Sequence, residues 1–149
     1  MSFKEKDVWF RVKATAPGLW ERVETYVGSG IPDTHYVHGR YVGWVELKRV
    51  TRKTIVDVAH EPLPIDIRGT QLAWHTRYRQ AGGISWVLAG QRLSSYSSAD
   101  AAWVFYAVHA RDIALVHNGC IVKSIRVYIG SPVWGEVLEW AHDLQPTPS

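Results

Sequence analysis

Apolar and polar positions change rhythm several times along the chain, and each change marks an element. Phe3, Val8, Trp9 and Val12 fall near one stripe of a 3.6-residue period, which predicts a helix over 3–14. Pro17 and Gly18 end it. Residues 19–27 mix apolar, aromatic and charged side chains and read as a strand. Gly28 to Pro32 is a turn. Residues 34–38 and 41–49 are rich in Tyr, Val and Trp and read as two strands joined at Gly39 and Arg40. Glycine at the first turn position suits a type II′ hairpin.

Residues 51–64 are irregular, with Pro62 and Pro64. Thr70 is placed to cap a helix over 71–80, which Gly82 and Gly83 stop. Residues 84–89 form a short apolar run expected to be a buried strand. A helix is expected over 98–109, with Asp100 in its first turn. A strand over 121–129 and a closing helix over 133–142 follow. Such an order predicts a mixed α/β domain that begins with an antiparallel meander.

Composition adds bounds. At 149 residues, with 46% hydrophobic and 21% charged, one folded domain over 1–149 is expected. The apolar runs are too short to span a membrane, and the first residues lack the apolar segment of a secretory signal. Cys120 alone makes no internal disulfide and no cysteine-based zinc site. It is expected to be a packed small residue, and an intracellular location follows. Charge is uneven: residues 1–92 hold 14 Lys+Arg against 9 Asp+Glu, whereas 93–149 hold 3 against 5. A basic surplus in the first two thirds points towards a polyanion.

The hairpin carries the candidate chemistry. With a two-residue turn at Gly39 and Arg40, Asp33 falls opposite Glu46. Cβ atoms of opposed residues lie roughly 4.5–5.5 Å apart. Two carboxylates that close repel unless a proton or a cation intervenes, and their hard oxygens suit Mg²⁺ or Mn²⁺. Lys48, two residues on, shares the face of Glu46 and is placed to hold a water or to neutralise a phosphate. Leu47 points into the core, with its carbonyl a candidate further metal ligand. His35 and Trp44 share the face of Asp33. His35 is a surface residue or stands behind the metal ligands, and the Trp44 ring walls the cleft or stacks a base. Trp74 and Trp86 are expected in the core, and Trp103, Phe105 and Tyr106 in the core or a dimer seam.

These residues resemble the PD-(D/E)XK nuclease superfamily: Pro32 and Asp33, then Glu46, Leu47 and Lys48. More narrowly, the run Gly30 to Asp33, the run Trp44 to Lys48, and Gln71 to Trp74 followed by Ala81, Gly82 and Gly83 look like small stand-alone VRR-NUC-type and Holliday-junction-resolvase-like phage nucleases. The resemblance covers about residues 3–90, with 91–149 an extension that is a candidate dimerisation region. It implies a restriction-endonuclease-like fold and a Mg²⁺- or Mn²⁺-dependent endonuclease of DNA, acting on branched or junction DNA in the cytoplasm of a bacterium or phage-infected host; the alternatives are a duplex nuclease without structure specificity and a nucleic-acid-binding module on the same fold without catalysis. Asp33 and Glu46 would bind the metal, and Lys48 would position the water. Glu5 is the better match for an additional acid on the first helix, with Glu24 the competitor. Gln71 resembles the glutamine near the metal. Arg49, Arg52 and Lys53, then Arg68, Arg77 and Arg79, are candidate phosphate contacts. Two cuts across a junction favour a homodimer.

Overall fold

A computed structural model describes residues 4–23, 30–93 and 102–143. Among these, six strands form one mixed sheet in the order β1-β2-β3-β4-β5-β6. The strands are β1 (Leu19–Arg22), β2 (Thr34–His38), β3 (Tyr41–Val50), β4 (Ser85–Arg92), β5 (Trp103–Val108) and β6 (Arg126–Ile129). The helices are α1 (Glu5–Thr15), α2 (Gly69–Gln80), α3 (Ile113–His117) and α4 (Trp134–Ala141). Only β3 and β4 run parallel; every other pair is antiparallel. The domain is therefore α/β with an opening antiparallel meander. None of its described helices is long and apolar enough to cross a membrane.

Strand alternation splits the core between the two sheet faces. Val45, Leu47, Trp86, Leu88, Phe105 and Ala107 join Val8 and Val12 of α1 and Trp134, Val137, Leu138 and Ala141 of α4 on one face. Val50, Val87, Ala89, Val104, Tyr106 and Val108 join the 51–67 segment and α3 on the other. The spacing Trp134, Val137, Leu138, Ala141 is the apolar stripe that makes α4 a helix. A Cβ at Gly90 would sit 3.0 Å from the Val8 methyls, so the bare backbone there lets α1 lie close on β4.

The hairpin register is the expected one: His38 pairs with Tyr41 and Thr34 with Val45. Gly39 has φ +60° and no described non-glycine residue has positive φ, as a II′ turn requires. The irregular segment after β3 is tied down from below. Buried Gln91 donates its amide to the carbonyls of Arg52 (3.0 Å) and Thr54 (2.7 Å). The Tyr106 hydroxyl accepts from Val56 N–H and donates to Gln91 Oε1.

Several expectations need correction. The segment expected as a helix over 98–109 is, where described, strand β5. Trp103 to Val108 are all buried, so the run carries no helical stripe and fills both faces of an inner strand. Trp103, Phe105 and Tyr106 are thus strand core residues. The strand expected over 121–129 shortens to Arg126–Ile129, and α3 was not foreseen. Helix α2 begins at Gly69 with Arg68 rather than Thr70 as its cap residue. Cys120 is exposed. Strand β1 is described only as Leu19–Arg22, and Glu24 lies outside the described residues.

Candidate metal and phosphodiester site

The site forms where β2 leaves β3. Their ladder ends at the pair Thr34–Val45, while β3 continues to Val50 against β4. At this fork Asp33 folds its side chain back over β3. Its Oδ1 accepts from Leu47 N–H (3.2 Å) and from the Thr34 hydroxyl (3.2 Å). Asp33 N–H in turn donates to Glu46 Oε2 (3.2 Å). The turn before it is braced by Gly30, with φ +91°: a Cβ there would fall 2.1 Å from the Thr70 carbonyl oxygen. Only glycine lets this turn rest on the first turn of α2.

Glu5 arrives from elsewhere in the chain. Helix α1 packs on the opposite face from Glu46, yet its first turn brings the Glu5 carboxylate to the fork. Ligand oxygens of Glu5, Asp33 and Glu46 all lie within 4.8 Å of one another. Burial raises all three carboxyls above their ordinary values, and repulsion from Asp33 adds to it for Glu5 and Glu46. Desolvation dominates for each; Asp33 is the next cause for Glu5 and Glu46, and Glu46 is pushed up to about 8. Such crowding of hard oxygens is relieved by a divalent cation, so the donor set fits Mg²⁺ or Mn²⁺.

Lys48 and Gln71 complete the group. Glu46 and Lys48 are two apart on β3 and share a face, with Lys48 Nζ 3.9 Å from Glu46 Oε1. The side chains are only 7% and 12% exposed, so this pair is shielded from water. Gln71 links them: its amide donates to Glu46 Oε1 (3.0 Å) and its Oε1 accepts from Lys48 Nζ (3.0 Å). The same oxygen accepts from Arg68 N–H (3.0 Å), which satisfies an orphan donor at the start of α2. One buried glutamine thus caps a helix and fixes an acid and a lysine. The Leu47 side chain lies in the core, 1% exposed.

The basic residues divide. Arg49 is exposed and close enough to act on the Glu5 carboxyl. Arg52 is held by Glu61 (3.0 Å) in the loop, and Lys53 is exposed beyond it. Arg68 lies at the start of α2, with Arg77 and Arg79 near its end. Arg22, which sequence reasoning overlooked, sits on β1 and holds down the carboxyls of both Glu5 and Asp33. Its only sequence signal was a place on the strand next to the hairpin.

One aromatic placement differs from expectation. Trp86 is in the core, but Trp74 is half-buried beside Trp44, with ring centroids 6.3 Å apart. His35 lies 4.9 Å from the Trp44 ring, edge to face. It is half-buried on the hairpin face that carries Asp33.

The architecture is a mixed α/β sheet with an acidic fork at the end of its meander. No protein-family model matches the sequence, and no curated protein matches it. Among solved structures, it is similar to Hjc, a Holliday junction resolvase from the archaeal hyperthermophile Archaeoglobus fulgidus. The two are 18% identical, with 92% of this chain and 96% of that one covered and a TM-score of 0.44.

Proposed function

We propose that the protein is a divalent-metal-dependent endonuclease of DNA, of the PD-(D/E)XK type and with the restriction-endonuclease-like fold. The observation that carries this reading is the convergence of Glu5, Asp33 and Glu46 within 4.8 Å, beside a lysine held by Gln71. Glu5, Asp33 and Glu46 would hold the cation, which supplies charge to polarise a phosphate oxygen and to make water more acidic. Lys48 Nζ, shielded and aimed by Gln71, orients the attacking water or offsets charge growing on the phosphate. Gln71 acts as a positioning residue for both Glu46 and Lys48. Arg22 and Arg49 flank the acids and Arg77 extends the basic surface along α2, so the phosphate backbone meets cations on either side. Arg52 is engaged by Glu61, which makes Lys53 the freer phosphate contact of that loop.

The finer reading, carried by the motif resemblance, is a structure-specific enzyme acting on branched DNA as a homodimer. Incubation with supercoiled plasmid and with a four-way junction, in Mg²⁺ or in EDTA, tests both levels. Cutting in Mg²⁺ that stops in EDTA is expected, with the junction preferred. Absent cutting on every DNA would remove the enzyme reading, and cutting that persists in EDTA would remove its metal dependence. Equal cutting of junction and duplex would remove only the branched-substrate reading.

A further inference from the structure

The tryptophans of this chain fall into two kinds. Trp20, Trp86, Trp103 and Trp134 are at most 8% exposed and fill the core. Trp9, Trp44, Trp74 and Trp140 are half-buried; Trp9 and Trp140 lie against the core cluster beneath α1 and α4, whereas Trp44 and Trp74 lie outside it. Both stand on the sheet face that carries the acids, Trp44 two residues before Glu46 on β3 and Trp74 one turn after Gln71 on α2. Glu46 and Gln71, which are hydrogen-bonded to each other, thus each share an element with one of these two indoles.

The row is built rather than loose. Trp74 stacks on Tyr78, with centroids 4.6 Å apart and planes 17° from parallel. Tyr78 is backed by Gly83, where a Cβ would fall 2.3 Å from the tyrosine ring. The glycine therefore exists, in packing terms, to let that ring lie flat. His35 braces Trp44 from the other end. Trp74, Arg77, Tyr78 and Ala81 line an open hollow of about 230 Å³. An aromatic wall beside an exposed guanidinium, with no acid in the lining, is the chemistry that takes a base and its phosphate.

We propose that Trp44 and Trp74 form a stacking platform for unpaired bases, so that the substrate is DNA with unpaired nucleotides beside the cut phosphate. The proposal rests on the nuclease reading and deepens it by naming the substrate class. A fully paired duplex keeps its base faces covered and has nothing to offer these rings. Flaps, bubbles and open junction centres expose base faces within reach of the acids.

The test is binding of the full chain in EDTA, where nothing is cut. A paired duplex is compared with the same duplex carrying a short unpaired stretch. The unpaired DNA is expected to bind about tenfold tighter, and Trp44→Leu and Trp74→Leu to remove that preference while duplex binding stays. Trp44→Phe, which keeps a ring, is expected to retain part of it. A readout without mutation is 2-aminopurine in the unpaired stretch, whose fluorescence is expected to stay quenched by stacking on the wild-type protein. Equal affinity for the two DNAs, equal loss of both in the variants, or a brightened 2-aminopurine would overturn the platform. Cutting of plasmid in Mg²⁺ is read separately. Cutting without a preference for unpaired DNA would sink the platform alone, whereas preference without cutting would sink the nuclease reading alone.

Discussion

Asp33→Asn is expected to lower metal-dependent cutting by at least about 10²–10³-fold, with DNA binding retained. The amide keeps the shape and still accepts from Leu47 N–H, so the fork at β2 and β3 is preserved. What disappears is one of three negative oxygens that a cation would need. Lys48→Ala is expected to cut as poorly for a different reason. It leaves all three acids in place but removes the ammonium that Gln71 aims at the fork. The two variants should part company in metal affinity, which Asp33→Asn lowers and Lys48→Ala does not. Normal cutting by both would place the chemistry elsewhere.

The second large effect is on stability. Glu46 is pushed up to about 8 from an ordinary 4.5, chiefly by burial and then by Asp33. Below its unfolded value the carboxyl is protonated in both states and the shift has no consequence. As pH rises towards about 8, the unfolded chain has already lost the proton that the folded chain still holds, and stability falls. Asp33 and Glu5 act in the same direction. His75 and His142 act in the opposite one. Burial lowers both to about 4, so their contribution is lost as pH falls from about 6.5 to about 4. The two trends offset each other in acid and only the carboxyl trend remains above about pH 6.5. In EDTA, raising the pH from 6.5 to 8 should therefore cost about 2 kcal/mol through Glu46, or roughly 4–8 °C in Tm. Mg²⁺ is expected to abolish that fall, and Asp33→Asn to lessen it even without metal. A Tm that is flat across this range in EDTA would mean the carboxyls are not crowded in solution.

Much of this is legible in the sequence. The hairpin register follows from a two-residue turn that only glycine enters readily, and the opposition of Asp33 and Glu46 follows from the register. Period-2 alternation then puts Lys48 on the same face. Gln71 was legible only through resemblance, because a first-turn glutamine has no periodic signature of its own. Glu5 was reached the same way. Its approach depends on how closely α1 packs, and that depends on Gly90 on β4, far along the chain from the hairpin. The later half was harder to read. β5 is buried on both faces, so its sequence lacks the alternation that distinguishes a strand from a buried helix. Trp74 was expected inside because an indole on a helix usually packs; its place depends on the stack with Tyr78 and Gly83, which brings together residues from the end of α2 and the turn beyond it.

The central claim is that Glu5, Asp33 and Glu46 together hold one divalent cation. Crystals grown with Mn²⁺ and measured at the manganese absorption edge test it directly. The account predicts an anomalous peak between the three carboxylates, within coordinating distance of all of them, and its loss in Asp33→Asn. A peak elsewhere on the chain, or none at a Mn²⁺ concentration that supports cutting, would contradict it.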